Sequence, residues 1–261
     1  MVAITAVILT YNEAPNIART LSNLDWLSQI VVVDSFSADG TAELVRGNPK
    51  ARLFTRKFTT HAEQWNYALT ETGIDTEWVL ALDADYQVTR EFREEVAGLM
   101  DSPEVAAYRA RFTYCINGRP LRGTLYPPVT VLFRRVGARY IQDGHTQRIQ
   151  VHGPVRDLES PLLHDDRKPM SSWIQSQNRY MRLEATKLLS TPADQLRWPD
   201  RIRMMRVVAP FAVLVHCLIF KGLILDGRAG VFYTAQRVFA EMMLSLYLLS
   251  HDIGLEPNAG G

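Results

Sequence analysis

The chain has 261 residues, 47% hydrophobic and 22% charged, with a formal net charge of +1. That is an ordinary globular composition, with material for one large domain or one domain plus an appended segment. Net charge this close to zero offers no support for a nucleic-acid surface, and Cys115 and Cys217 lie too far apart for a zinc-type spacing, so nothing requires metal thiolates or an oxidising compartment.

Val2–Leu9 is apolar but lacks a basic leader and a small-residue cleavage site, so it reads as a buried strand and not a signal peptide. Asn12 is placed to cap a helix whose core face is Ile17, Leu21 and Leu24. Ile30–Val33 is a β-branched strand ending at Asp34. Asp39-Gly40-Thr41 opens a short helix through Leu44 and Val45. Arg52–Thr55 is a weaker strand, and His61–Leu69 a helix with Trp65 and Leu69 on one side. Trp78–Leu82 is a strand that delivers Asp83, and Thr89 is placed to cap a helix carrying Phe92, Val96 and Leu99. This alternation calls for a mostly parallel sheet covered on both faces.

After Pro103 the rhythm changes. Tyr108, Ala110, Phe112 and Tyr114 alternate with polar residues as in one half-exposed strand, and Val129–Phe133 and Gln147–Val151 are further strands. Turn pairs at Asn117-Gly118, Pro127-Pro128 and Asp143-Gly144 separate them. From Trp173 onward the chain reads as mainly helical.

Asp83-Ala84-Asp85 stands out within this order. Two carboxylates flanking a small residue at a strand end suit a divalent cation that bridges a diphosphate, because a hard cation wants oxygen ligands. Together with Ala6 to Glu13, Val32 to Ser35 and Asp39-Gly40-Thr41, the triplet resembles a family 2 glycosyltransferase of the GT-A fold. The closer resemblance is to the branch of bacterial lipopolysaccharide-core and capsule β-glucosyltransferases. Leu163-His164, Asn178-Arg179-Tyr180 and Leu225 to Gly230 extend it over nearly the whole chain.

The resemblance implies a GT-A nucleotide-diphospho-sugar transferase fold: a mostly parallel central sheet with a mixed extension and a helical C-terminal region. The catalytic domain is expected over 1–170, with a donor half at about 1–102 and an acceptor half at about 103–170, and the helical region over 171–261. It further implies that Thr10, Tyr11 and Glu13 border the base and ribose of a nucleotide-diphosphate sugar, with a UDP-sugar the expected donor. Asp34 accepts a hydrogen bond from the base, Arg56 or Lys57 faces the phosphates near Gln64, and Ala84 lies against the donor. Asp85 ligates Mn2+ or Mg2+, with Asp83 reaching the ribose or the metal through water and His164 approaching the same ion. Asn12 and Asp39 read equally well as helix caps, Asp34 as a turn residue, and His164 as a packed histidine beside Asp165 and Asp166.

Inversion by single displacement needs a general base for the acceptor hydroxyl. Relatives carry a carboxylate where this chain has Gln147, whose amide cannot take the proton. Asp143 is favoured as its replacement and His145 is the alternative; loss of catalysis is the third reading. The acceptor implied is an envelope glycan or glycolipid.

Val207–Phe220 is strongly apolar, too short and interrupted for a transmembrane helix, and Arg197, Arg201, Arg203 and Arg206 precede it. Basic residues beside apolar helices suit an anionic leaflet, so peripheral contact with the cytoplasmic face of the inner membrane is expected; a packed helical layer or dimer interface is the alternative. Two other functions stay open. A nucleotidyltransferase shares the carboxylate–metal logic but calls for a Gly-rich basic loop that Thr10 to Glu13 lacks. A degenerate sugar-nucleotide or glycan binder is consistent with Gln147.

Overall fold

The computed structural model describes residues 2–99, 104–143 and 146–255. The chain divides into two compact units, one built from Met1–Pro120 and Tyr126–Lys168, the other from Leu121–Leu125 and Pro169–Gly261.

The first unit opens with strict alternation: β1 (Val2–Thr10), α1 (Ala14–Ser22), β2 (Leu27–Asp34), α2 (Thr41–Arg46), β3 (Ala51–Thr55), α3 (His61–Glu71) and β4 (Trp78–Asp83). The four strands are parallel, in the spatial order β3-β2-β1-β4. The inner strands are buried on both faces, so their apolar side chains sort by the two-residue period. Ile4, Ala6 and Ile8 join Ile17 and Leu21 of α1 in one core, while Val7, Val31 and Val33 join Trp65 and Leu69 of α3 in another.

From β1 the chain steps outward to β2 and β3, then returns to place β4 on the other side of β1. That reversal is the topological switch point, where open α/β sheets bind ligands at the carboxyl ends of their strands. The register sets Asp83 opposite Leu9, and Asp34 opposite both Thr10 and Thr55, along that edge.

β5 (Tyr86–Gln87) and α4 (Arg90–Leu99) follow, and the Thr89 hydroxyl caps α4 by accepting the Phe92 N–H at 3.1 Å. The alternation from Tyr108 to Tyr114 does not form the single strand expected. It breaks at Arg111 into β6 (Ala107–Ala110) and β7 (Phe112–Ile116), which belong to different sheets. Tyr108, Ala110, Phe112 and Tyr114 are nonetheless all buried. Period-two alternation reports which side chains are covered and is blind to which sheet takes them.

The unit is completed by β8 (Arg119–Pro120), β9 (Val129–Arg134), β10 (Arg139–Asp143), β11 (Thr146–Gln150), β12 (Val155–Asp157) and β13 (Leu162–His164). Antiparallel β9 extends the parallel strands into a seven-stranded mixed sheet, β12-β6-β9-β4-β1-β2-β3; a second sheet runs β5-β13-β7-β8, and β10 with β11 makes a hairpin. The hairpin is tied to α3. Asn66 Nδ2 donates to the Tyr140 carbonyl at 2.9 Å, its Oδ1 accepts the Tyr140 N–H at 2.8 Å, and Trp65 stacks on the Tyr140 ring.

The second unit contains α5 (Met170–Ser190), α6 (Trp198–Met204), α7 (Val208–Val215), a π-helical turn (His216–Phe220), a 3-10 turn (Leu223–Asp226) and α8 (Gly227–Asp252). Ala185 and Leu188 of α5 pack on Leu244 and Leu248 of α8. The arginines expected to face a membrane are largely spent inside this unit. Arg203 donates to Glu241 at 2.7 Å and lies within 4 Å of Glu184 and Asp200; Arg206 forks onto Asp252; Arg197 pairs with Asp200. Arg203 and Arg206 take partners from helices distant in sequence, Arg197 takes Asp200 three residues on, and Arg201 is exposed with its Nε on the Leu196 carbonyl.

Gly230 is where α8 passes closest to the 3-10 turn: a Cβ there would sit 1.8 Å from the Leu223 carbonyl oxygen, whereas one at Gly98 in α4 meets nothing within 4 Å. Gly230→Ala should therefore lower stability by ~1–3 kcal/mol or more through overpacking. Gly98→Ala should be neutral or stabilising by up to ~1 kcal/mol. Urea midpoints compare the two, and an unchanged midpoint for Gly230→Ala would contradict this packing.

Candidate active site

The carboxyl ends of β1 and β2 are locked together by Asp34. Its Oδ1 accepts the Thr10 hydroxyl at 2.8 Å and the Ser37 hydroxyl at 2.5 Å, and its Oδ2 accepts the Ser37 N–H at 2.8 Å. Asp34 is thus buried and engaged by the chain itself, while Tyr11 on the following turn is exposed. Phe36 is exposed as well and has φ +61°, a conformation bulky side chains rarely adopt. No periodicity marks Phe36 in the sequence; only its place after a strand-ending Asp-Ser could have drawn notice.

Asn12 is not the cap of α1. It lies in the left-handed region at φ +54°, its N–H donating to Ser37 Oγ and its Oδ1 accepting the Ala38 N–H. Glu13 occupies the cap position without a side-chain cap bond. The first free amide of α1, on Ala14, is instead satisfied by Asp39 Oδ2 at 3.0 Å, from 25 residues along the chain. Sequence proximity pointed to Asn12, but the loop geometry brings Asp39 across.

Asp83 ends β4. The Ala84 carbonyl accepts the Thr20 hydroxyl at 2.5 Å, which holds the turn, and Tyr86 in β5 pairs with His164 in β13. That pairing brings His164 Nε2 to 3.0 Å from Asp85 Oδ2, and the Asp165 N–H donates to the Asp85 carbonyl. Tyr114, Tyr126 and Tyr86 surround the His164 ring with centroids 4.6, 4.8 and 5.4 Å away. Asp85 Oδ1 and His164 Nδ1 are both buried and without hydrogen-bond partners. Burial works against the charge on Asp85, but His164 overrides it and holds the carboxyl below its ordinary range; Asp85 in turn holds His164 above the usual imidazole value against the effect of burial. Asp83, half-buried and desolvated beside the Asp85 charge, is pushed up to about 6.

Behind this edge lies a charged network that the sequence did not reveal. Lys168 Nζ donates to Glu13 Oε1 at 2.5 Å, and Asn16 Nδ2 donates to both Glu13 and Asp166. Glu13, Asp166 and Asp85 hold the Lys168 ammonium above its normal range against the opposing effect of burial. A basic residue four positions after a strand-ending His was the available signal. Asp165, by contrast, is saturated by Arg19, Arg167 and the Gly118 N–H.

Arg56 donates to Gln64 Oε1 and lies 3.7 Å from Glu63, while Gln64 Nε2 donates to Ser35 Oγ at 3.0 Å. Gln64 is fully buried, and Lys57 is exposed. Trp65 and Asn66 serve the hairpin, not the donor edge. Asp143 ends β10 opposite Thr146; its backbone alone is described, and His145 lies outside the described residues. Gln142, next to Asp143, accepts the Ala62 N–H at the start of α3. Among the described residues no three His, Cys, Asp or Glu side chains converge as a ready metal cage.

The folded chain keeps the Asp83 proton up to about pH 6, whereas an unfolded Asp releases it near ~4. The carboxylate therefore costs stability as pH rises through that window, and this cost is absent below it. Asp83→Asn should raise the urea midpoint of metal-free protein at neutral pH and leave it unchanged below pH ~4. Equal midpoints at neutral pH would show that Asp83 is not under this electrostatic load.

Residues 5–152 match the profile of "Glycosyl transferase family 2". Over 197 residues the chain is 29% identical to the lipopolysaccharide core biosynthesis glycosyltransferase LpsC of Rhizobium meliloti (strain 1021), covering 70% of each. It is 29% identical over 111 residues to an uncharacterized glycosyltransferase of Rickettsia felis, where the match spans 42% of this chain and only 38% of that protein. Among solved structures, S. aureus TarS 1–349 in complex with UDP-GlcNAc is similar at 16% identity and a TM-score of 0.48, covering 96% of this chain and 92% of that one. Glucosyl-3-phosphoglycerate synthase from Mycobacterium tuberculosis is similar at 14% identity and a TM-score of 0.48, over 70% and 77%. The family profile runs from β1 to just beyond the β10–β11 hairpin, more than half of the chain, and the strand order it spans is the one described above; the chain belongs to glycosyltransferase family 2, on the GT-A fold.

Proposed function

We propose that this family 2 enzyme moves a sugar from a nucleoside diphosphate donor, a UDP-sugar, to an envelope glycan or glycolipid, with inversion and with help from a divalent cation. The observation that carries the metal reading is Asp85, a carboxylate kept ionised at the switch point with one oxygen on His164 and the other buried and unpartnered. An orphaned buried oxygen is costly unless something fills its lone pairs. Asp85 and His164 would hold Mn2+ or Mg2+, with the donor diphosphate completing the oxygen shell, as suits a cation that binds through few protein ligands. When bound, the ion supplies charge neutralisation to the departing diphosphate.

The remaining roles belong to the chain's own side chains. Tyr11 and Phe36, exposed at the ends of adjacent strands, flank the base. Asp34 Oδ2 takes one hydrogen bond from the chain and keeps a lone pair for an imide N–H. Asp83 positions the ribose. After His164, Lys168 is the positive charge that acts on both Asp83 and Asp85, which Arg56 does not, and this favours Lys168 as the phosphate partner although Glu13 holds it. Asp143 takes the acceptor proton, with His145 orienting. The lipopolysaccharide-core acceptor is supported by the likeness to LpsC. A second reading, a sugar-nucleotide binder without turnover, rests on Gln147 standing where the family resemblance leads one to expect a carboxylate.

Asp85→Ala should weaken UDP-sugar binding in the presence of Mn2+ at least ~10-fold, read by calorimetry, while thermal unfolding stays cooperative. Unchanged affinity would remove the metal from this site.

Asp143→Asn should keep donor affinity and cut transfer by the ~10²-fold or more expected for losing a general base. Gln147→Glu in that background should recover part of the rate. Near-normal transfer by Asp143→Asn would overturn the assignment, and donor binding without hydrolysis or transfer by the wild-type protein would favour the non-catalytic reading.

A further inference from the structure

The second unit encloses an ion network around Arg203 and leaves many large apolar side chains exposed. Val208–Phe220 contains no Asp, Glu, Lys or Arg, and on α7 only the side bearing Ala209 and Pro210, continued by Cys217, is covered. At ~100° per residue the uncovered side, from Leu214 through Phe211 and Val215 to His216, sweeps roughly 200° of the helix circumference. The apex beyond it is equally bare: Phe211, Ile219, Phe220, Ile224 and Leu225 are between 59% and 76% exposed.

A helix apolar over so wide an arc is ordinarily surrounded by core or lipid, whereas a docked protein face covers a single stripe. The charges around the apex also favour lipid. Between Val207 and Ala240 the only acidic residue is Asp226, which accepts from Arg122, against Lys221 and Arg228 beside the bend; Arg237 lies further along α8, stacked on Trp173 and Tyr233. The aliphatic stem of Lys221 packs on Gly123, so its ammonium can snorkel to headgroup level. Among the described residues no single helix is long and apolar enough to cross a membrane, and the two segments Val208–Phe220 and Leu223–Asp252 meet at a 71° bend. Val208–Phe220 is about 20 Å long at 1.5 Å per residue, short of the ~30 Å hydrocarbon core.

We propose that the bend between α7 and α8 is a membrane wedge, inserted into one leaflet of an anionic bilayer through Phe211, Ile219, Phe220, Ile224 and Leu225. Apolar insertion, and not the arginines around α6, supplies most of the attachment, because Arg197, Arg203 and Arg206 are already paired within the unit and only Arg201 among the four lacks a carboxylate partner among the described residues. This goes beyond the transfer reaction and does not depend on it: an inactive protein that inserts would leave the wedge standing.

The test is flotation of the full chain with vesicles of phosphatidylethanolamine and phosphatidylglycerol, at low salt and at about 0.5 M salt, where surface attraction is screened. The wild type should float in both. Phe220→Glu/Ile224→Glu/Leu225→Glu should lower vesicle partitioning at least ~10-fold, with unchanged circular dichroism and urea midpoint since all three side chains are exposed. As a second readout, Phe220→Cys carries an environment-sensitive dye, both native cysteines being buried. Its emission should shift to the blue with vesicles and not with added unlabelled protein. Wild type left in the aqueous fraction, or floating only at low salt, would overturn the wedge. So would a blue shift caused by unlabelled protein alone, which would assign the surface to a second copy of this chain.

Discussion

An ionised Asp85, its side chain largely covered and its Oδ1 buried, is the constraint on which the carboxyl edge is built. Burial of a lone carboxylate costs several kcal/mol, and the usual escape is protonation. Here the escape is closed by His164 at 3.0 Å and by the more distant Lys168. The strand pairing between β5 and β13 exists at the position where it can deliver that histidine, and the tyrosines around the ring exclude water from it. Asp83 bears the consequence, held toward its protonated form by the neighbouring charge.

The arrangement stabilises a binding-competent geometry more than it stabilises the fold. Replacing a buried ion pair by apolar residues is often neutral or better, whereas removing one partner costs roughly 3–5 kcal/mol. An oxygen of Asp85 and a nitrogen of His164 are left without partners, which a chain selected for stability alone would have filled. Lys168 belongs to the same economy of charge: fixed by Glu13 and Asp166, it offers positive potential without having to move.

In the helical unit the distribution is reversed. Arg203 sits among Glu184, Asp200 and Glu241, a network whose members come from α5, α6 and α8, and the helices around it turn large apolar side chains outward. Polar groups inside hold the helices in one register, and the exposed apolar surface is then available to a solvent other than water.

The sequence by itself determined the alternating parallel core, because burial on both faces forces continuous apolar runs and helical crossovers, and it determined that Asp34 and Asp83 each end a strand. It also marked Asp83-Ala84-Asp85 and His164 as one site through family resemblance, and the register of β5 on β13 brings Asp85 and His164 into contact. Only the tertiary structure decided that the Tyr108–Tyr114 strand divides between two sheets, since alternation carries no information about strand partners. Only the tertiary structure made Asp39, not Asn12, the acceptor for the first amide of α1, and brought Lys168 to Glu13 across 155 residues. The same holds for Arg203 and Arg206, which in sequence read as a basic surface and in space meet Glu241, Glu184 and Asp252. Hydrophobic periodicity is local and survives projection onto one dimension; the pairing of charges and polar caps is set by distances in space, which the linear order does not contain.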